Sequence, residues 1–301
     1  MESLGFEAAA LSAATTWAIG GLIAAAPTKF LGGPRFTRLR MYWVAAILAA
    51  VATLVGGWST LGQREVLLLG LSGVLGLALG DVALFTAFSR LGPRRTGILF
   101  ATNAPMAAIL SAIVFDERFS ATSLGGTLLI SLGVTLAIAF GTRPGQNHHW
   151  EEVKGNLLVG VGFGLLGALG QALGVLLADP AFDSADLDPW TGAAVRACAG
   201  IVALVALRGW FESRARVPYP SRIPLKMWGF IIASGTLAMV IGKTLVLIAL
   251  SGVDPGIVSV LVSTSPAIQL PLIWLVTKER PAAGAWLGAV LAAVGTALIV
   301  A

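Results

Sequence analysis

Charged residues are scarce in this chain. They make up 12% of its 301 residues, whereas a soluble domain carries roughly a quarter. Hydrophobic residues reach 56%, and the mean hydropathy is +0.86. Cysteine is represented by Cys198 alone, so an intrachain disulfide is excluded and the redox compartment stays undetermined. This shortage of charge excludes a water-soluble fold.

Motifs of common enzyme classes are also missing. The sequence has no Walker phosphate loop, dinucleotide fingerprint, zinc pair or serine nucleophile elbow in a suitable context. His148 and His149 are adjacent in a polar stretch, a spacing typical of a solvated loop rather than a metal site. We predict no enzyme activity, no cofactor and no metal. The net charge of +5 lies in short loops between apolar spans, which argues against nucleic-acid binding.

Long apolar runs fill almost the whole length instead. A hydrocarbon core of about 30 Å needs roughly 20 apolar residues per helical crossing. Breaks at charged residues, Pro and Gly predict ten spans at 6–26, 38–57, 66–89, 96–115, 121–140, 155–178, 189–208, 226–250, 256–276 and 281–301. The predicted fold is an all-α polytopic membrane protein with ten transmembrane helices.

Lys and Arg lie mostly on one side of this arrangement. Of the twenty, sixteen fall in alternate loops on one side, and only Arg64 and Arg118 fall on the other. Arg196 and Lys243 lie inside spans. The positive-inside rule makes the first group cytoplasmic, so we expect both termini to face outward from a bacterial-type inner membrane.

The two halves of the chain match each other. Each has a proline, then a Glu-Arg pair, then glycines nine and sixteen residues after the Glu. These residues are Pro105, Glu117, Arg118, Gly126 and Gly133 in one half, and Pro266, Glu279, Arg280, Gly288 and Gly295 in the other. An offset of about 162 also pairs Gly80 and Asp81 with Gly242 and Lys243. Repetition across a whole half predicts a duplication.

The duplication divides the chain into a first five-helix repeat at 1–140, a polar connector at 141–154 and a second repeat at 155–301. An odd number of helices in each repeat forces the two repeats into opposite orientations across the membrane. The fold class we predict is therefore two inverted five-helix repeats.

These motifs resemble the drug/metabolite transporter superfamily, specifically its two-repeat EamA type, over essentially the whole chain. The resemblance implies a cavity between the repeats, lined mainly by the first four helices of each, with the fifth and tenth helices peripheral. It implies export of metabolites, amino acids or toxic compounds. Familiar two-repeat members are expected with cytoplasmic termini, and here the loop charges predict the reverse.

Asp81 and Lys243 are the first candidates for a functional site. A charge inside an apolar helix costs several kcal/mol unless it is paired or hydrated. Their matched positions place both near the midplane, where they either form a structural salt bridge or clamp a zwitterion. Asp81 is also the candidate for proton coupling.

Further solute contacts are predicted among polar and aromatic residues inside the spans. Polar groups gather beside the prolines of helices 4 and 9, where proline frees backbone carbonyls, although such groups often only bond a neighbouring helix. Aromatic rings inside spans either contact solute or pack in the core. The predicted contacts are Asn103, Ser263, Thr264, Gln171, Trp17, Phe85 and Trp274.

Structural roles are predicted for other matched residues. Arg40 and Arg196 open or enter the second helix of each repeat, where they would bond helix-end carbonyls. Glu117 and Glu279 precede glycine-rich helices, where a carboxylate favours the helix N-terminus. Pro105 and Pro266 complete this structural set.

We therefore predict a secondary transporter that exports a small metabolite, such as an amino acid or related zwitterion, by alternating access. The alternative is a flippase for lipid-linked substrates, since small relatives in the superfamily move such carriers. The expected partners are a small-molecule solute and membrane lipids, and a homodimer stays open as an assembly.

Overall fold

The chain is predominantly helical in the part that the structure describes. A computed structural model describes residues 2–114, 121–140, 153–183, 187–213, 220–250, 261–262 and 264–300. Six helices there are long and apolar enough to cross a membrane: Gly5–Leu31, Gly33–Val55, Gln63–Leu91, Leu157–Phe182, Pro189–Ala206 and Leu225–Val246. Three shorter apolar helices accompany them. The predicted all-α membrane architecture is confirmed.

The first half contains seven α-helices within the described residues. They are α1 (Glu2–Leu31), α2 (Gly33–Val55), α3 (Gln63–Ser72), α4 (Asp81–Leu91), α5 (Pro93–Phe100), α6 (Asn103–Val114) and α7 (Ala121–Phe140). A π-helical stretch at Gly73–Gly80, the first π segment, joins α3 to α4. The three pieces form one continuous span.

The second half shows the same order in its described residues. It contains α8 (Leu157–Asp183), α9 (Pro189–Ala206), α10 (Arg208–Ser213), α11 (Leu225–Gly235), α12 (Gly242–Leu250), α13 (Ser265–Thr277) and α14 (Ala283–Val300). A second π segment, Thr236–Ile241, joins α11 to α12. The predicted bounds agree closely with these helices for most spans. The start of the predicted span 256–276 lies outside the described residues.

The predicted fourth span, 96–115, is interrupted. The chain turns at Ala101 and Thr102, between α5 and α6. Pro105 has no N–H to donate to the carbonyl four residues earlier, at Ala101, so the helical hydrogen-bond pattern fails at that turn. The proline therefore frees a backbone carbonyl, as predicted, and that carbonyl belongs to Ala101, one turn earlier in the chain.

Two glycines make the tight turns between neighbouring helices of the first half. Gly32 ends α1 with φ 79°, and Gly92 ends α4 with φ 83°. Only glycine adopts this region without a Cβ penalty. Pro34 and Pro93 follow in the first turns of α2 and α5, where a proline costs no helical hydrogen bond. A new helix therefore begins directly after each of these glycines.

Glycines also join α7 to α14 in an antiparallel crossing. A Cβ on Gly133 would come 2.7 Å from the Gly288 carbonyl oxygen, and one on Gly295 would come 2.6 Å from the Gly126 carbonyl oxygen. The partner number falls along α14 as the number rises along α7, so the two helices run in opposite directions. Backbones this close require small residues on both sides.

Candidate functional site

Asp81 lies in the interior at the point where the first π segment passes into α4. Its side chain is almost inaccessible, with 3% of the residue exposed. Arg40 Nη2 donates to Oδ2 at 3.0 Å, and Gln171 Nε2 donates to Oδ1 at 2.9 Å. Both carboxylate oxygens therefore have a donor, one from α2 in the first half and one from α8 in the second. Such charge-assisted bonds are the strong ones in a low-dielectric interior.

Arg40 is enclosed by aromatic rings as well as by the carboxylate. The centre of its guanidinium lies 4.5 Å from the Phe85 ring centroid and 5.7 Å from that of Phe36. The two rings meet edge to face at 4.8 Å. A desolvated guanidinium over an aromatic face gains a cation–π attraction. Phe85, predicted as a solute contact, thus belongs to the Asp81 site through Arg40.

The role predicted for Arg40 and Arg196 is wrong for both. Arg40 bonds the Asp81 carboxylate rather than helix-end carbonyls, because α2 begins at Gly33 and Arg40 lies two turns inside it. Arg196 lies in the interior of α9, which begins at Pro189. Because Arg40 lies inside α2, the larger group of loop cations falls by one and the charge asymmetry of the loops stays large.

The predicted salt bridge between Asp81 and Lys243 is not formed. Lys243 lies within electrostatic range of Asp81, Arg40 and Arg196, but no ion pair or hydrogen bond joins its ammonium group to any described residue. Arg40 reaches the carboxylate instead because α2 packs directly against α4. We call Asp81, Arg40, Gln171, Arg196 and Lys243 the charged cluster.

The π segments hold matched hydrogen bonds between the halves. A π turn offsets the regular helical ladder and leaves carbonyls open to other donors. Gln171 Nε2 donates to the Gly76 carbonyl oxygen at 3.0 Å, and Trp17 Nε1 donates to the Ala238 carbonyl oxygen at 2.8 Å. Gly76 and Ala238 are 162 positions apart, as are Asp81 and Lys243.

The donors of these two bonds also occupy similar sequence. Trp17 begins the run Trp-Ala-Ile-Gly, and Gln171 begins Gln-Ala-Leu-Gly. The glycine that ends each run packs against the π segment of the other half. A Cβ on Gly20 would come 2.9 Å from the Ala238 Cβ, and one on Gly174 would come 3.0 Å from the Gly76 Cα. Each half thus presses its first helix against the π segment of the other.

The polar residues beside the prolines bond local backbone. Asn103 Nδ2 donates to the Phe100 carbonyl oxygen at 2.9 Å, and Thr264 Oγ1 donates to the Leu261 carbonyl oxygen at 2.6 Å. Ser263 lies outside the described residues. Ser265, which also precedes Pro266 in this polar group, donates instead across helices to the Ala14 carbonyl oxygen at 3.2 Å.

The remaining predicted residues that the structure describes form no hydrogen bond or ion pair with the charged cluster. Trp274 is 38% exposed near the end of α13, with the Arg280 guanidinium 5.0 Å from its ring centroid. Glu279 lies in the connection between α13 and α14, where its N–H donates to Thr277 Oγ1. Glu117 lies outside the described residues. Pro105 and Pro266 lie in the first turns of α6 and α13.

A cavity of about 480 Å³ opens at the helix ends and extends along α4 towards Asp81, although no residue of the charged cluster lines it. Its wall runs along α4 from Arg90 to Val82 and on to Leu79 in the π segment, which is about 16 Å at 1.5 Å per residue. Val82 directly follows Asp81, so the cavity reaches the level of the cluster. Lys29, Arg35, Lys154 and Glu212 also line it.

Glu212 is fixed at the mouth of this cavity. Arg38 Nη2 and Arg208 Nε donate to its Oε1 at 2.8 and 3.1 Å. Partial burial works to raise the pKa of Glu212, but the two arginine hydrogen bonds and their charges outweigh it and hold the pKa below its usual value. The carboxylate thus ties α2 to α10.

Membrane-spanning helices in two matched halves, with buried charges where the halves meet, define a multi-pass membrane protein of the transporter class. The EamA-like transporter family matches residues 6–139 and again residues 158–301. The chain belongs to this family, and it is therefore a membrane transporter of the drug/metabolite transporter superfamily.

Comparison with individual proteins adds support for the fold alone. No curated protein matches the chain. One solved crystal structure superposes with a TM-score of 0.63 at 16% sequence identity, covering 97% of this chain and 95% of the other. At that identity the likeness says nothing about the solute.

The sequence reasoning missed Arg40 as a member of the site. One signal was present in the sequence, because Arg40 is matched by Arg196 between the halves. Met239, which lies 3.3 Å from Arg40 Nη2 through its sulfur, had no such signal, because a methionine in an apolar span is ordinary core.

Proposed function

We propose that this protein is a secondary transporter that carries a small metabolite across the inner membrane by alternating access. Ten crossing helices would form two inverted repeats, 1–140 and 155–301, joined by the connector 141–154. The observation that carries the proposal is the buried hydrogen-bond network in which Arg40 and Gln171, from opposite halves, share the Asp81 carboxylate.

Two features of the packing support inverted repeats. The matched helices α7 and α14 cross antiparallel through Gly126, Gly133, Gly288 and Gly295. Gly126 matches Gly288 and Gly133 matches Gly295 between the halves, so the contact of Gly126 with Gly295 is equivalent to the contact of Gly288 with Gly133. A two-fold axis in the membrane plane requires this equivalence. The bonds of Trp17 and Gln171 to opposite π segments are exchanged in the same way.

The contacts between the halves support alternating access. Asp81 and Arg40 are 3% and 5% exposed, so this conformation is occluded around them. Rocking one repeat against the other would break the Gln171 bonds on one side or the Trp17 bond on the other, since both cross between halves. The cavity beside Val82 is the natural direction of opening.

Asp81 is the proposed residue that couples proton movement to transport. A proton on the carboxylate would remove the charge that Arg40 neutralises and weaken the bond that Gln171 donates. That change would loosen both halves from the first π segment at once. Exchange of one solute for another would use the same network without the proton, and we propose export as the direction.

Other predicted residues remain proposed solute contacts. The side chains of Asn103 and Thr264 each donate one hydrogen bond to local backbone. An amide or a hydroxyl can still form further hydrogen bonds with a solute. Ser263 stands next to Thr264 in sequence, and Trp274 would contact solute only near an opening, since it is partly exposed.

A flippase for lipid-linked substrates is the second candidate. The cavity at the helix ends favours it, because apolar residues such as Leu79, Val82 and Phe163 share the wall with the basic Lys154. Lipid-linked carriers combine an apolar chain with an anionic headgroup, which such a wall would accept.

One experiment separates the two functions. Proteoliposomes are loaded with an isotope-labelled metabolite extract and doped with a fluorescent lipid, and the same vesicles are assayed for solute release by mass spectrometry and for lipid scrambling by quenching. We expect release of particular solutes above protein-free vesicles without scrambling. Scrambling with no solute release would replace the transporter proposal by the flippase.

A further inference from the structure

The charges of the cluster do not balance among the described residues. Arg40, Arg196 and Lys243 bring three cations to the interior, and Asp81 is the anion they sense. Arg40 and Gln171 already occupy both oxygens of that carboxylate. Two cationic side chains are therefore left without a carboxylate of their own in this part of the structure.

Arg196 has a guanidinium that no described residue pairs with. Its Nε is fully buried and without a hydrogen-bond partner, and no ion pair or hydrogen bond joins the rest of the group to the described residues. Its Nη2 faces the first π segment, where a Cβ on Gly76 would come within 3.8 Å. The glycine leaves space beside the guanidinium that a side chain would fill.

Lys243 lies on the matched side of the same interface. It is the second residue of α12, just after the second π segment, as Asp81 is the first residue of α4 after the first. Arg196 and Asp81 both lie within electrostatic range of it. Two neighbouring cations repel each other, and in a medium of low dielectric the repulsion is poorly screened. An anion between them would remove the repulsion and supply the missing acceptors.

We propose that the transported solute is a small organic anion, whose carboxylate or phosphate oxygens bind between Arg196 and Lys243. The inference rests on the proposed transport function and narrows its substrate class. It also changes the zwitterion hypothesis: Asp81 already accepts hydrogen bonds from Arg40 and Gln171, so an ammonium group would have to share the carboxylate with both of them. Recognition through the anionic group needs no such sharing.

The solute-free protein offers a first test. If Lys243 carries a charge without a counter-ion, replacing it by an apolar residue of similar length removes a penalty. Lys243→Met should raise the unfolding temperature in detergent without added anions, whereas Lys226→Met, on an exposed position of the same span, should leave it unchanged. A lower unfolding temperature for Lys243→Met would mean that the ammonium has a stabilising partner and would overturn the proposal.

Binding of defined probes gives the second test. Succinate, glycerol 3-phosphate and inorganic phosphate are compared at equal ionic strength with succinamide, alanine and putrescine, by thermal shift of the wild type, Arg196→Gln, Lys243→Gln and Lys226→Gln. At least one anion should stabilise the wild type, with its neutral counterpart inactive. Each cluster variant should weaken that binding roughly tenfold to a hundredfold, as expected for losing one charge-assisted hydrogen bond, and Lys226→Gln should not.

The outcomes separate this inference from the function it rests on. If alanine or putrescine stabilises the protein and no anion does, the solute is not an organic anion. The same conclusion follows if none of the three anions shifts the unfolding temperature. Solute release from proteoliposomes would remain valid evidence for transport in either case. A short-chain phosphatidate is included as a lipid counterpart of glycerol 3-phosphate. Binding of the phosphatidate alone would overturn a soluble solute and favour a lipid headgroup.

Discussion

Gln171 and Asp81 belong to different halves of the chain, and a 2.9 Å hydrogen bond joins the Gln171 amide to the Asp81 carboxylate. The same amide nitrogen donates to the Gly76 carbonyl oxygen at 3.0 Å. One side chain of α8 therefore holds both the first π segment and the acid that follows it. Movement of the halves and the environment of the acid are coupled at this residue.

Replacing Gln171 by Met should damage both stability and transport. Methionine keeps the length of the side chain but leaves Asp81 Oδ1 and the Gly76 carbonyl without a donor, which costs about 1–3 kcal/mol for a buried group. Thermal unfolding in detergent and solute release from proteoliposomes measure the two effects. Gln63→Met, at an exposed glutamine, is the control for the substitution itself.

Trp17→Phe is the matched change in the other half. It removes the donor to the Ala238 carbonyl but leaves the Asp81 carboxylate untouched. We expect a similar loss of stability and a smaller loss of transport than in Gln171→Met. Equal transport by Gln171→Met and wild type would mean that the bond to Asp81 has no role in the cycle.

The Arg40–Asp81 pair should behave as a unit. Removing one partner of a buried ion pair leaves an uncompensated charge and costs about 3–5 kcal/mol, so Arg40→Gln and Asp81→Asn should each unfold at clearly lower temperature. The double variant should recover much of that loss, because no unpaired charge remains between these two positions. Additive losses in the double variant would show that the two groups act independently.

Much of the fold could be predicted from hydropathy and the internal match. The predicted span 121–140 coincides with α7, and 226–250 differs by one residue from the span that starts at Leu225. The offset of 162 predicted from Gly80 and Gly242 also relates Gly76 to Ala238. Long apolar runs and repeated spacing are global signals that survive errors at single positions.

The site was predicted only in part. Asp81, Phe85 and Gln171 come together as expected for residues inside spans, but the partner of Asp81 is Arg40 and not Lys243. That choice depends on which helices cross next to α4, which no spacing in the sequence records. The π segments were not predicted either, since hydropathy carries no information about which carbonyl a backbone N–H selects.

Two glycines of α7 predict opposite outcomes for the same substitution. A Cβ on Gly133 would come 2.7 Å from the Gly288 carbonyl oxygen, while one on Gly125 would meet nothing within 4 Å. Gly133→Ala should destabilise by about 1–3 kcal/mol through overpacking. Gly125→Ala should be neutral or stabilise by up to about 1 kcal/mol through helix propensity. Thermal unfolding measures both, and equal behaviour of the two variants would argue against the α7–α14 contact.

The loop charges predict that Met1 and Ala301 both face the periplasm in a bacterial host. Alkaline phosphatase fused after Ala301 should then be active, and green fluorescent protein at the same position should stay dark. The reverse pattern, a fluorescent and phosphatase-inactive C-terminus, would invert the proposed orientation while leaving the fold unchanged.

The most direct test of the account is solute release by Asp81→Asn. Wild type, Asp81→Asn and the control Glu7→Gln are reconstituted at equal density in vesicles loaded with the labelled metabolite extract, after folding is checked by size-exclusion chromatography. Glu7 is an acid of α1 outside the charged cluster. The account predicts the same released solutes and rates for wild type and Glu7→Gln, and loss of release by at least about tenfold for folded Asp81→Asn, because the acid that joins the halves is neutralised. Release by folded Asp81→Asn at the wild-type rate would contradict the central claim that transport passes through this cluster.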